Sequence, residues 1–395
     1  MPESGPALTE RRPVSHWLIV AGSARPLAQA CVDAGMSCDV IDPWGDADTR
    51  ALARRHARAV IGEDGFETAL PGLIGRMRRE HGWDGIIAGS GFEARPDALT
   101  ALAAFAPVLG NDAATVARCK DPRAVAEAAR AAGLRSPDIR LHDGPDAIPD
   151  SGWLVKPLGG CGGLGIRHAR SGEAVPAGHY GQRCVAGQPA SMLFLADGRQ
   201  ARVIGMSRQT PGSLAGPYAW CEATGDLPCD RSVSARLERS LDRLSAAFGL
   251  RGLNGIDLVM DADGEPVLIE INPRPTATMM LYGHRVAGGL FAAHIAACRG
   301  RLTDVNPVAG AVKGLRVVYA PRDMTVGDDA RWPRWCGDRP AAGSVVPRAA
   351  PLCTVHAEAG DGAAAGRLLK QREREVLDMF GVHPDAAQMM TTVFS

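Results

Sequence analysis

A chain of 395 residues exceeds what one hydrophobic core ordinarily organises, so about two to four domains are expected. Its 46% apolar and 22% charged residues are ordinary for a globular protein, and 44 basic against 44 acidic side chains leave no basic surplus for a nucleic-acid partner. Ten cysteines stand without a Cys-x-x-Cys pair or a His cluster, which argues for reduced thiols in a cytoplasmic protein and against a zinc site. The opening Met-Pro-Glu-Ser-Gly lacks a basic segment backed by an apolar stretch, and no apolar run approaches the roughly 18 residues of a spanning helix, so neither secretion nor a membrane span is expected.

The N-terminal third alternates strand and helix. His16 to Val20 reads as a strand, Gly22 to Arg25 as a turn, Pro26 to Ala34 as a helix stopped by Gly35, and Cys38 to Asp42 as a second strand. Asp84 to Gly89 is a further strand, with Ser90, Gly91, Phe92 and Glu93 at its end. Such βαβ units predict a parallel sheet with a crevice at the strand ends.

Lys120 comes just before a helix start. Asp121 is the candidate N-cap, Pro122 the first helical residue and Gly133 the stop. Trp153 to Pro157 then reads as a strand carrying Lys156, followed by the run Leu158-Gly159-Gly160-Cys161-Gly162-Gly163-Leu164-Gly165. Gly160, Gly162 and Gly165 satisfy G-x-G-x-x-G, but that dinucleotide fingerprint requires a helix to open after it, and residues 166 to 177 have no helical periodicity. A glycine loop between two strands can instead bring backbone N–H groups close to phosphates, with Lys156 as a point charge. Read alone, it is equally a surface hairpin.

Ser232 to Phe248 is amphipathic, with Val233, Leu237, Leu241, Leu244 and Phe248 on one stripe and Gly249 as the stop. Two short apolar runs follow, Gly255 to Met260 and Val267 to Ile271, joined through Asp263-Gly264, a strong hairpin turn. Side chains alternate along a strand, so Glu270 and Asn272 share a face and Asp257 can oppose them. Carboxylates among Ile, Leu and Val are costly without a cation, and hard oxygen donors suit Mg2+ shared with substrate phosphates. The alternative is an edge strand with solvated acids. Beyond it, Gly314 to Ala320 and Pro351 to Ala357 are strands and Ala363 to Phe380 a charged helix. Trp332 and Trp335 are read as packing that fixes this tail to the body.

In order and spacing, Lys120, Val155-Lys156-Pro157 with its glycine loop, Gln182 to Gly187, and Asp257, Glu270, Asn272 and Arg274 resemble the ATP-grasp superfamily over about residues 15 to 300. The resemblance implies an α/β and α+β architecture: an ATP-grasp fold with an N-terminal Rossmann-like preATP-grasp domain and a C-terminal β-rich extension. The expected divisions are 1–112 for the first domain, 113–186 for the subdomain with the glycine loop, 187–305 for the subdomain with the metal hairpin, and 306–395 for the extension.

It further implies ATP and Mg2+ as cofactors, with Mn2+ an admissible substitute. Lys120, Lys156, Gly159, Gly160, Gly162, Gly163, Gly165, Gln182, Cys184 and Val185 would contact ATP, the last two through backbone groups at the adenine. Asp257, Glu270 and Asn272 would hold the metal, and Arg274 and Lys156 would be catalytic. In that family the preceding domain often helps bind the second substrate, which makes Arg25, Ser90 and Glu93, otherwise loop residues, candidates for that role; Arg183 stands where the family commonly has the acid that holds the ribose, so that acid must come from elsewhere, with Glu222 and Asp226 as open candidates.

The implied reaction joins a small-molecule carboxylate to an amine through an acylphosphate, releasing ADP and phosphate. A homo-oligomer is admitted. A carboxylase-like enzyme working through carboxyphosphate and a non-catalytic ATP-binding subunit are the alternatives. More narrowly, residues 21–25, 42–46 and 271–276 together with the tail resemble a carboligase branch related to biotin carboxylase. That branch includes tyramine–glutamate ligase-like proteins of tetrahydromethanopterin and methanofuran-type cofactor synthesis in one-carbon metabolism, and it implies ligation of glutamate.

Overall fold

The computed structural model describes residues 14–60, 67–78, 82–142, 144, 147–307 and 310–382; the expectation about the N-terminal segment lies outside them. Strands β1 (His16–Val20), β2 (Ser37–Asp42), β3 (Arg55–Arg58), β4 (Gly85–Ala88) and β5 (Val108–Leu109) form a parallel sheet in the order β3-β2-β1-β4-β5. Helices α1 (Arg25–Asp33), α2 (Ala47–Leu52), α3 (Leu70–Met77) and α4 (Asp97–Leu102) connect it, as the alternation predicts. Strand order reverses between β1 and β4, which opens a crevice at their carboxyl ends. There the Gly22 amide donates to Ser90 O at 2.7 Å.

Two helices follow, α5 (Ala113–Cys119) and α6 (Pro122–Ala132). The Asp121 carboxylate accepts from the Arg123 amide, and Gly133 closes α6 at φ 79°, so cap, proline and stop fall where the sequence puts them. A four-stranded sheet comes next, ordered β6-β9-β7-β8: β6 (Ile139–Leu141), β7 (Trp153–Pro157), β8 (Arg167–His168) and β9 (His179–Arg183). No helix opens after the glycine loop. The loop joins β7 to β8, antiparallel neighbours.

The largest sheet has eight strands in the order β14-β13-β10-β11-β12-β15-β19-β17. Its members are β10 (Gln188–Asp197), β11 (Ala201–Ser213), β12 (Gly216–Thr224), β13 (Arg251–Met260), β14 (Pro266–Asn272), β15 (Val312–Tyr319), β17 (Cys336–Gly337) and β19 (Pro351–Ala359). A separate ladder pairs β16 (Met324–Thr325) with β18 (Val345–Val346). Helix α7 (Arg231–Phe248) lays Val233, Leu237, Leu241, Leu244 and Phe248 on β10, β13 and β14, sharing that core with α6.

Helices α8 (Met279–Tyr282) and α9 (Gly289–Cys298) pack against α1 and the parallel sheet, so Phe291 meets Trp17 edge-on at 6.1 Å. The tail is more than an appendage. β15 pairs with β12 and β19 with β15, so its strands extend the central sheet, and α10 (Gly362–Met379) covers them. Trp332 packs on Phe380 and Trp335 lies under Arg372, the packing role read for both. Among the described residues no helix is long and apolar enough to cross a membrane.

Candidate active site

The β13–β14 hairpin sets the floor of the site. Gly264 closes the turn at φ 76°, its amide donating to Asp261 O, and the register then places Asp257 opposite Glu270 and Gly255 opposite Asn272. A register shift just after Asp257 re-aims the strand at this point. The Asn272 amide nitrogen donates to Asp257 Oδ2 at 2.9 Å, and Gln209 Nε2 reaches Asp257 Oδ1 at 3.3 Å.

Two lysines come down onto the same floor. Lys120, fixed at the junction of α5 and α6, donates to Glu270 Oε1 at 2.6 Å and to Asn272 Oδ1 at 3.4 Å. Lys156, on β7, donates to Gln182 Oε1 at 3.2 Å and stands 4.0 Å from Glu270 Oε2. Gln182 in turn donates to Ile269 O, which fixes its carbonyl toward the lysine. Both lysine side chains are at most 8% exposed, so their charges are met by Glu270 and its neighbours rather than by water.

Electrostatics separates the two carboxylates. Burial pushes the Asp257 carboxyl up, the facing Glu270 charge pushes it further, and it reaches about 6 although Ser191 and Asn272 hydrogen-bond to it. Burial also pushes Glu270 up, but Lys120 and Lys156 outweigh it and hold the group below the usual carboxylate range. Two opposed carboxylates, one of them reluctant to ionise, fit a divalent cation that would relieve their repulsion. Asn272 supplies a third oxygen, and no fuller cage of His, Cys, Asp and Glu exists among the described residues. Such a sparse set suits Mg2+ completed by water and phosphate oxygens.

The glycine loop roofs the cleft. Gly159, Gly160 and Gly163 line it with Lys120, Lys156 and Glu270, whereas Gly162 and Gly165 sit back from it and shape the loop at φ 64° and 74°. Gly162 O accepts from the Trp220 amide at 2.8 Å, and a Cβ on Gly163 would stand 1.9 Å from Tyr218 O. On its other flank, a Cβ on Gly159 would stand 2.8 Å from Glu93 O. The loop therefore rests on both β12 and the parallel-sheet domain. The cleft beneath it has a volume of ≈ 50 Å³, well under the ~300 Å³ of a small ligand pocket.

Arg274 lies just past the hairpin, and its guanidinium is ion-paired with Glu93 from the crevice between β1 and β4. Burial pushes Glu93 up, yet Arg274 and Lys120 hold it below its ordinary range. The Glu93 pairing was not foreseen, nor were Gln209 and the Tyr218–Trp220 contact with the loop, because no local spacing links these segments.

Three other expectations change. Cys184 and Val185 lie on the connection beyond β9, outside the residues lining the cleft, and the Cys184 amide already donates to Gly152 O. Glu222 is engaged by Arg316, which also grips Glu373, and Asp226 stands 4.0 Å from Arg285; neither lines the cleft. Arg25, a substrate candidate, is buried in an ion pair with Asp338 at 2.8 Å and ties α1 to the tail. Arg183 points out of the site to Asp150 at 2.7 Å.

Two buried lysines, a glycine roof and an acid–acid–amide floor, in this chain order, agree with the family comparison, in which residues 119–278 match the ATP-grasp domain model. This segment is an ATP-grasp domain. The chain has the ATP-grasp fold, with a Rossmann-like sheet before that domain. No curated protein matches the sequence.

Solved structures with the same fold include biotin carboxylase from Campylobacter jejuni, at TM-score 0.69 and 11% identity over 90% of both chains. L-amino acid ligase from Bacillus licheniformis aligns at 0.66 and 14%, over 91% of this ATP-grasp chain and 97% of the ligase. N5-carboxyaminoimidazole synthetase from Staphylococcus aureus, complexed with ADP, aligns at 0.65 and 13%, over 91% and 97%.

Proposed function

We propose that the chain is an ATP-dependent carboxylate–amine ligase that leaves ADP. A substrate carboxylate oxygen attacks the γ-phosphorus and ADP departs; an amine then attacks the acyl carbon, phosphate leaves, and the amine proton is lost to solvent. The carrying observation is the convergence of Lys120 and Lys156 on Glu270, above Asp257 and Asn272 and beneath the glycine roof.

In this reading Lys120 and Lys156 exchange the Glu270 carboxylate for phosphate oxygens, and Arg274, facing the crevice, offsets charge on the transferring phosphoryl group. Gln182 orients Lys156. Asp257, Glu270 and Asn272 would hold Mg2+, with Mn2+ an admissible substitute, and the ion when bound supplies further charge neutralisation at the phosphates. The loop excludes water from a reactive acylphosphate. Backbone contacts from Cys184 and Val185 to adenine would require that connection to close toward the cleft. The likeness to L-amino acid ligase supports the reading, and glutamate ligation in one-carbon cofactor synthesis, in the cytoplasm, is its narrower form.

A second reading, carboxyphosphate formed from bicarbonate, draws on the likeness to biotin carboxylase. A screen of acid–amine pairs, with chromatography of the spent nucleotide, tests both. ADP release that requires an acid and an amine supports the ligase. Dependence on bicarbonate selects the second reading, and AMP as the stoichiometric product overturns the acylphosphate mechanism.

A further inference from the structure

We infer a second anion site, separate from the ATP cleft, in a groove along the outer edge of the parallel sheet. β3 is the edge strand, and between it, α2 and the tail loop around Ser344 lies a cavity of ≈ 530 Å³. Four arginines line it, Arg50, Arg54, Arg55 and Arg58, and no acid does.

The partners of these groups decide which are available. Arg55 is committed to Asp39 and to Met77 O, and His56 pairs with Asp42 at 2.9 Å. Arg58 donates only its Nε, to Pro43 O, leaving its terminal nitrogens open among the described residues. The side chains of Arg50 and Arg54 have no hydrogen-bond or ion-pair partner among the described residues. Three guanidinium groups therefore line one groove with no carboxylate opposite them among the described residues, a set suited to an anion carrying more than one charge.

Trp44 adds a second kind of recognition. Its Nε1 donates to Gly22 O at 2.7 Å, which fixes the ring and uses its one polar atom, while 41% of the residue stays exposed at the mouth of the cavity. What it offers is a rigid apolar plate beside the arginines, suited to a flat ring. The ligand class is a phosphate monoester joined to an aromatic or heteroaromatic group.

Charges on an edge strand also serve to block pairing with another chain. That role covers Arg58 and, just before the strand, Arg54, but not Arg50, which comes from α2, nor the fixed indole. This inference does not depend on the ligase reading.

The test is calorimetric titration with phenyl phosphate and with inorganic phosphate, on protein saturated with Mg2+ and a non-hydrolysable ATP analogue so that the ATP cleft is filled. Wild-type protein should bind phenyl phosphate, and the double variant Arg50→Gln/Arg54→Gln should bind it at least ~10-fold more weakly, since charge-assisted hydrogen bonds are lost at an open site. Trp44→Leu should weaken phenyl phosphate yet leave inorganic phosphate within about twofold, because stacking acts on the ring alone. Equal binding by wild type and the double variant, or no phenyl phosphate binding at millimolar concentration, overturns the site. These side chains are exposed, so an unchanged melting temperature certifies that each variant is folded.

Discussion

The guanidinium of Arg274, just beyond the β13–β14 hairpin, is held by the carboxylate of Glu93, five residues past the end of β4, where the parallel sheet's strand order reverses. The pair joins the two halves of the molecule at the mouth of the site. Glu93 is buried and Arg274 half-buried, so removing Arg274's partner leaves its charge poorly compensated.

Glu93→Gln should therefore lower the melting temperature, by an amount equivalent to a few kcal/mol (~3), and should reduce turnover ~10–100-fold because Arg274 loses its fixed position. Arg274→Lys should not restore activity, since a point charge cannot reproduce the fork. Steady-state kinetics with calorimetric melting checks both. Wild-type turnover in Glu93→Gln would remove the pair from the mechanism.

Glu270→Gln keeps the shape of the side chain but takes away the charge on which Lys120 and Lys156 converge. Turnover should fall at least ~100-fold, about 3 kcal/mol in the barrier, with a higher Mg2+ requirement. Asp257→Asn should act in the same direction. The double variant should lose less than the product of the single losses, because the groups work as one unit. Unchanged kinetics at limiting Mg2+ would contradict the assignment.

For the glycine loop, the geometry selects Gly163 as the residue that closure depends on. A methyl there would run into Tyr218 O, whereas a Cβ on Gly162 meets nothing within 4 Å and is opposed only by its φ of 64°. Gly163→Ala should keep the fold, hold the loop off β12, raise KM for ATP and cut turnover ~10-fold or more. Hydrogen exchange of residues 159–165 with and without an ATP analogue reads the motion. Equal protection in both states would show the loop to be a fixed hairpin.

Asp46 supplies a pH dependence away from the chemistry. Burial, reinforced by Asp338, Asp42 and Asp48, raises its carboxyl to about 8 from an ordinary 3.8. The folded state thus holds a proton that the unfolded chain releases, so this group's contribution is favourable below about 4 and is lost progressively as pH rises through about 8. Asp46→Asn should raise the melting temperature at pH near 8 relative to wild type and change it little near pH 4. A melting series across that range decides it. Parallel curves for the two proteins would rule out a raised carboxyl.

What the sequence determined by itself is local. The α6 cap and stop, the α7 stripe and the Asp263-Gly264 turn each depend on residues within a few positions of one another, and a hairpin's register follows from its turn, so the spacing alone sets Asp257, Glu270 and Asn272 on one face. The long strand β10 gave no such signal: it is buried along most of its length, so alternation between apolar and polar residues is absent. Only tertiary structure brought Glu93 to Arg274, Gln209 to Asp257 and Trp220 to the glycine loop, and only it turned the tail into strands of the central sheet. These contacts join segments from tens of residues to well over a hundred apart, and pairing at such separations is decided by which buried faces and charges can be satisfied together once the sheets have formed, which no neighbouring residue in the chain records.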